Sequence, residues 1–385
     1  MEGDLMIVIV THAVFLHGKD IYGPPHAVSL FLNKKKITHI FIKHNLYGTG
    51  PSVVEYYKNG KKTKTENIKN IAGLVFLQYF YEFLITSWIV VSKAKRCQLF
   101  IGVDPLNEFA GNVLKTIGIV GKTIYFSADF ALLRFPNSML NNFYLWLDKK
   151  AMLDSNQTWS VSKRIQLYRK ENGLDNGRNL LLPNAPFFDE VKRFPYGKIQ
   201  KHSLVLVSAL EKGIAFELLF DVVAKLKQKL PDVTLVLIGT GSLEGTLKEY
   251  VKEKKLENTI QFVGVLSHND MFKLITRCAI GIAFYENSDK THFRYFSDPM
   301  KVRDYLASGL PAFISGNSGI GDELEKKNAG VKVDLSEKDI YEKLLMVLDN
   351  PGKYQKMREH AIALANEYNM SELLSNYLKQ LDVYE

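Results

Sequence analysis

The stretch Ser297-Asp-Pro-Met-Lys-Val-Arg-Asp-Tyr-Leu-Ala-Ser-Gly-Leu-Pro311 carries its own punctuation and so restricts its backbone tightly. Asp298 suits an N-cap and Pro299 the first helical position, while Gly309 suits the left-handed residue past a helix end and Pro311 forbids continuation. The spacing predicts a helix of about two to three turns. Its first turn offers unpaired N–H groups and the positive end of a helix dipole, and Lys301 adds a full charge, so a phosphate could sit there. Asp304 falls one turn beyond Lys301 on the same face, where a carboxylate could accept two hydrogen bonds from a vicinal diol such as a ribose. A capped helix whose Lys and Asp merely face solvent has the same spacing, and these residues alone leave both readings open.

A chain of 385 residues, 46% hydrophobic and 24% charged, suits two medium domains with separate cores. Cys97 and Cys278 are too few and too far apart for a disulfide framework or a zinc site, which points to a reducing cytoplasm. Met6 to Val10 is short, follows Glu2 and Asp4 and runs into polar Thr11 and His12, so it reads as a first buried strand and not as a leader. The net charge of +9 is lopsided: residues 1–190 hold 23 Lys and Arg against 15 Asp and Glu, and the remainder holds 27 against 26. Clusters at Lys34 to Lys36, Lys58 to Lys69 and Lys93 to Arg96 carry the excess and suit anionic lipid headgroups. No recognition motif accompanies them, so nucleic acid is not an expected partner.

Along the chain, strands are predicted at 6–10, 37–42, 97–103, 124–130, 159–162, 180–184, 204–208, 234–238, 260–264 and 279–285, alternating with helical segments in the rhythm of α/β folds. The segment to Asn70 reads as a flexible basic loop or a hairpin. Ile71 to Val91 is the most apolar stretch, but Gln78 and Glu82 interrupt it and it falls short of a clean span. It fits a core helix, an interfacial helix, or one of each on opposite faces. Asp104 and Asp129 end predicted strands, where open α/β sheets bind ligands, and Arg134 could hold Asp129 ionised. Residues 186–202 read as a linker and 371–381 as an amphipathic helix.

Pro299, Lys301, Tyr305, Ala307, Gly309 and Pro311 match a Pro-x-Lys-x-x-Glu-Tyr-x-Ala-x-Gly-x-Pro pattern, with Asp304 in the place of Glu. On these residues the stretch resembles the donor-binding helix of retaining glycosyltransferases of the GT-B architecture, family 4, the glycosyl transferases group 1 type. The resemblance implies an α/β fold with two Rossmann-like domains facing each other across a cleft. It places an acceptor-side domain at 1–190, a nucleotide-sugar domain at 191–365 and a C-terminal helix at 366–385 that returns to the first domain. It implies transfer of a sugar from a nucleoside-diphosphate sugar to a hydroxyl acceptor, with retention.

The same resemblance makes Asp129 and Lys212 the catalytic candidates. Gly23, Lys212, Gly241, Glu286, Asp298, Lys301 and Asp304 become the donor-binding ones, with Asp304 on the ribose and Lys212 and Lys301 on the diphosphate. The chain departs from the pattern at Phe296 and Ala209, where relatives carry an earlier Glu and a diphosphate-clamping Arg. No Asp-x-Asp occurs, so neither a metal nor a cofactor beyond the co-substrate is expected. Expected partners are the nucleotide sugar, a sugar or lipid-linked acceptor of polysaccharide or glycolipid synthesis, and an anionic membrane surface. The expected location is the cytoplasm, or peripheral on the inner membrane face. Rival readings are a nucleotide-sugar epimerase of the same fold and a non-catalytic partner protein.

Overall fold

A computed structural model of the chain describes residues 6–16, 19–46, 50–71, 75–94, 96–286 and 290–383, the side chains of residues 75 and 76 aside. Glu2 and Asp4, named above, and Lys95, within the cluster from Lys93 to Arg96, lie outside them. The chain forms two compact units: Met1–Pro183 with Thr291–Phe296 and Met370–Glu385, and Asn184–Lys290 with Ser297–Asn369. The chain leaves the first unit at Pro183, not at 190, because Asn184 already belongs to the second: its N–H donates to Asp298 Oδ2 at 2.8 Å.

Unit 1 contains β1 (Ile7–Ala13), β2 (Phe15–Leu16), β3 (Lys19–Asp20), α1 (Pro24–Lys34), β4 (His39–Asn45), β5 (Ser52–Lys58), β6 (Lys61–Ile68) and α2 (Val75–Lys93). It continues with β7 (Cys97–Val103), α3 (Pro105–Thr116), β8 (Val120–Ser127), α4 (Ser138–Asp154), β9 (Gln157–Ser160), α5 (Lys163–Glu171) and β10 (Asn179–Leu181). The sheet order is β10-β9-β8-β7-β1-β4-β5-β6, parallel from β10 to β4 and antiparallel beyond. β1 and β7 are near-continuous apolar runs because helices cover both faces of a parallel sheet, while β4 is buried but polar at His39, Lys43, His44 and Asn45. The basic segment before Asn70 is the hairpin β5-β6: Asn59 and Gly60 both take positive φ (52° and 75°), as a tight two-residue turn requires.

Unit 2 contains β11 (Ser203–Val207), α6 (Phe216–Lys227), β12 (Thr234–Ile238), α7 (Glu244–Glu253), β13 (Ile260–Gly264), α8 (His268–Ile275) and β14 (Ile280–Ala283). The short α9 (Phe293–Phe296) belongs to unit 1, and unit 2 resumes with α10 (Met300–Ala307), β15 (Ala312–Ser315), α11 (Gly319–Lys326) and β16 (Gly330–Val333). α12 (Glu337–Leu348) and α13 (Pro351–Glu367) complete it, and α14 (Met370–Lys379) packs in unit 1, where Tyr377 donates its hydroxyl to Leu181 O at 2.8 Å. The sheet is wholly parallel in the order β13-β12-β11-β14-β15-β16. Each unit is therefore a doubly wound, Rossmann-like α/β domain. In both, the strand order reverses once, between β1 and β7 in unit 1 and between β11 and β14 in unit 2, and ligands enter such sheets at that reversal.

Candidate functional site

In unit 2 the reversal brings together the loops that leave β11 and β14. Glu211-Lys212-Gly213 follows β11, with Gly213 at φ 91°, and Glu286 N–H donates to Gly213 O at 3.1 Å. Lys212 and Glu286 therefore sit on adjoining backbones, and both side chains are exposed. The loop after β12 closes against the same segment: Leu210 N–H donates to Thr240 O and Leu243 N–H to Leu210 O, each at 3.0 Å. That approach explains the two glycines of Gly239-Thr-Gly241. A Cβ on Gly239 would lie 1.9 Å from Ser208 O, and one on Gly241 would lie 2.4 Å from Leu210 O. Ser242 donates its N–H to Glu211 Oε1 at 2.7 Å, and these bonds hold the Glu211 carboxyl below its ordinary pKa.

α10 reaches this place through Tyr305, whose hydroxyl accepts from Val207 N–H at 2.8 Å and donates to Ile282 O at 3.2 Å, tying the helix to the ends of β11 and β14. The ring fits because position 281 is glycine, where any Cβ would fall 2.2 Å from it. Lys301 places its ammonium 5.2 Å from the centre of the Tyr285 ring, beside Glu286. Asp304, one turn on, is buried with its carboxylate 3.7 Å from His268 Nε2. Burial pushes its pKa up and His268 pulls against the shift. The alternative in which Asp304 faces solvent is therefore gone. Gly309 takes φ 79° past the helix end, as its position predicts.

Asp298 corrects its expected role as a cap. The helix begins at Met300, and the Asp298 carboxylate, 3% exposed, instead pairs with Arg303 Nη2 at 2.8 Å and accepts from Asn184 N–H. Arg303 also lies 3.2 Å from Glu323, whose other oxygen accepts from the Tyr368 hydroxyl at 2.6 Å. Asp298 thus anchors the start of α10 from below. Arg303, Glu323 and His268 were not foreseen; only the spacing of Arg303 five residues after Asp298 hinted at the pair.

In unit 1 the corresponding reversal is filled. His12, on β1, places Nδ1 2.6 Å from Asp104 Oδ2, and Nε2 3.0 Å from Glu82 Oε2 on α2. Burial opposes the imidazolium, but the two carboxylates outweigh it and push the His12 pKa up to about 10. Asp104 also accepts at Oδ1 from the Leu106 and Asn107 N–H groups, each at 3.0 Å, which caps α3 and holds Asp104 at φ 81°. Asp129, past the end of β8, is half-exposed and pairs with Arg134 at 2.7 Å. Gly23 precedes α1 at extended φ, and an added Cβ would make only ordinary contacts, 3.8 Å from Pro25 and 3.9 Å from His26, so the backbone does not demand glycine there. Its N–H donates to His26 Nδ1 at 3.0 Å, leaving Nε2–H of that ring for Asp20 at 2.7 Å. The structure therefore gathers Lys212, Gly241, Glu286, Lys301 and Asp304 in unit 2, and places Gly23 and Asp129 in unit 1.

Residues 189–364 match the family model of glycosyl transferases, group 1. A chitobiosyldiphosphodolichol beta-mannosyltransferase of Eremothecium gossypii is 28% identical over 140 residues, 36% of this chain and 28% of that protein. The chain thus spans less than a third of that relative's length. Among solved structures, sucrose-phosphate synthase of Thermosynechococcus elongatus superposes with a TM-score of 0.71 at 13% identity, covering 98% of each chain. HepE of Anabaena in complex with UDP gives 0.69 at 13% identity, covering 98% of this chain and 99% of that one. The fold is shared with these GT-B proteins.

Proposed function

We propose that this chain, whose unit 2 carries the glycosyl transferases group 1 region, is a glycosyltransferase of the hexosyltransferase type. Unit 2 holds a nucleoside-diphosphate sugar, and the sugar passes to a hydroxyl acceptor with retention and without a bridging metal. The observation that carries this reading is the strand reversal of unit 2, where the Lys212-Gly213 and Tyr285-Glu286 backbones adjoin and Lys301 lies over the Tyr285 ring. As the bond from the anomeric carbon to the diphosphate breaks, negative charge grows on the leaving oxygen. Lys212, Lys301 and the positive end of α10 are placed to offset that charge. Asp304 accepts hydroxyls of the ribose, and Asp129, steadied by Arg134, serves the acceptor side. The lipid-linked substrate in the Eremothecium relative's name supports a lipid-linked acceptor here as well.

The test is a thermal-shift screen of nucleotide sugars, since specific binding to the native state raises its stability. Turnover then follows for wild type, Lys212→Ala and Lys301→Ala at saturating donor. One donor should stabilise the protein and hydrolyse slowly, and each substitution should lower turnover; wild-type rates in both variants remove the lysines from the site. Proton NMR of the product anomer reads the stereochemical course. Reversible sugar conversion without acceptor makes the protein an epimerase, and no stabilising donor makes it a non-catalytic partner.

A further inference from the structure

Two helices of unit 1 carry an apolar stripe on their outward faces in addition to the apolar residues they bury. On α2, Leu77, Phe80, Leu84, Trp88 and Val91 recur at helical spacing, and each is about half exposed. The opposite face, turned into the protein, buries polar Gln78, Glu82 and Thr86 beside Ile85, Ile89 and Val90. Gln78 donates to Glu82 at 3.0 Å, Glu82 pairs with His12, and Thr86 bonds His44 at 2.9 Å. α4 repeats the arrangement, burying Leu147, Ala151 and Met152 on its inner face. Met139, Phe143 and Trp146 point outward, Met139 being 81% exposed and the other two rings stacked with centroids 5.7 Å apart. Inward lie Asn141, which accepts from the N–H groups of Arg134 and Phe135, and Asp148, which pairs with buried Arg169. α3 packs against both helices, so α2 and α4 share one face of the sheet.

A surface helix ordinarily turns its apolar stripe to the core, and contiguous exposed apolar faces mark interaction sites. Charge identifies the occupant. Unit 1 holds 25 Lys and Arg against 16 Asp and Glu, whereas unit 2 holds 25 of each, so the entire net charge of +9 resides on the unit with the apolar stripes. Each stripe also carries a tryptophan in its last turns with lysine beyond it: Lys93 reaches 5.6 Å from the Trp88 ring centre, and Lys149 and Lys150 follow Trp146. Tryptophan with lysine is the border chemistry of a lipid–water interface. Among the described residues no helix is long and apolar enough to cross a membrane.

We infer that the α2–α3–α4 face of unit 1 lies in the interface of an anionic bilayer, with the two stripes seated at the acyl boundary and the lysines on the headgroups. This docking needs no nucleotide sugar and so stands or falls apart from the transfer reaction. It also relocates the membrane contact expected from the basic clusters. Lys34 to Lys36 end α1, which joins β1 to β4; the strand order runs the other way through β7 and β8, so right-handed crossovers put α1 on the opposite face of the sheet.

The chain supplies its own reporters, because Trp88 and Trp146 are about half exposed and Trp159 is fully buried. Full-length protein is mixed with phosphatidylcholine vesicles, with or without phosphatidylglycerol, whose acyl chains are brominated. Trp88→Phe and Trp146→Phe assign the signal. Both exposed tryptophans should be quenched on the anionic vesicles, and high salt should weaken binding. Phe80→Ser with Leu84→Ser, or Phe143→Ser alone, should weaken binding about tenfold or more, because each removes inserted apolar surface. Glu at Lys34, Lys35 and Lys36 should leave it within about twofold. Folding of the variants is checked by circular dichroism. Binding without acyl-chain quenching, no binding at low salt, or loss of binding only with the α1 charge reversal overturns the proposal. So does a lipid-free dimer that Phe80→Ser dissociates, which makes a second copy the occupant.

Discussion

Removing His12 tests whether the clasp at the reversal of unit 1 is ionic, and the pH dependence decides it. In the unfolded chain the imidazole titrates near 6.5; in the folded protein Asp104 and Glu82 carry it to about 10. A pKa raised on folding stabilises fully below the unfolded value and loses that contribution as pH climbs through the folded one. At about 1.4 kcal/mol per pH unit, the clasp loses about 2 kcal/mol by about pH 8 and about 5 kcal/mol by about pH 10. Solvent screening discounts this little, since the His12 side chain is 11% exposed. Other groups titrate over the same range, so the quantity to measure is the stability difference between wild type and His12→Gln at each pH. All three tryptophans lie in unit 1, so their fluorescence during urea unfolding reports that unit alone. The difference should be largest at or below about pH 6.5 and shrink steadily toward about pH 10. A difference independent of pH would refute the reasoning and leave His12 as a neutral hydrogen-bonding residue.

Three further outcomes are expected in unit 2. Asp304→Asn should weaken donor binding by about 1 to 3 kcal/mol, the scale of lost hydrogen bonds to a charged group; unchanged nucleotide affinity in calorimetry sinks the ribose role. Gly241→Ala should destabilise unit 2 by about 1 to 3 kcal/mol and loosen the Lys212 loop, because its Cβ would fall 2.4 Å from the Leu210 carbonyl oxygen; a wild-type melting curve argues against the close approach. Arg303→Ala should cost about 3 to 5 kcal/mol by leaving Asp298 and Glu323 buried without their cation, and thermal melts showing a loss under about 1 kcal/mol would contradict that.

Local chemistry was legible where the decisive partner lay within a turn or a strand. Gly309 needed only its own φ, and the Asn59-Gly60 hairpin only two residues. Asp129 and Arg134 met because five residues separate them. Asp298 was misread as a cap because its partners are Arg303 and a backbone N–H at Asn184, and the latter is 114 residues away. Residues 338–365 fall on two helices, α12 and α13, and Asn350 caps the second by accepting from Lys353 N–H. Strand β8 begins at Val120, earlier than expected, since Gly121 and Lys122 dilute its apolar rhythm.

The orientation of α2 is more instructive, because its pattern left open which face turns inward. Gln78, Glu82 and Thr86 fall four residues apart, so the sequence does display a polar stripe opposite an apolar one. Periodicity gives two faces without saying which is inside, and the usual assumption turns the polar one to water. Here His12 and His44, at the ends of β1 and β4, are buried and need hydrogen-bonding partners, because an unmet buried polar group costs about 1 to 3 kcal/mol. Turning Glu82 and Thr86 inward meets both needs at once. The apolar stripe is then left outside, and that exposure is the cost of filling the unit 1 reversal with an ionic clasp. In unit 2 the same reversal is lined by Lys212, Glu286 and Lys301. One doubly wound plan therefore yields two different ends: one closed by charge pairing beside an exposed apolar flank, the other presenting cations on the ligand side of its sheet.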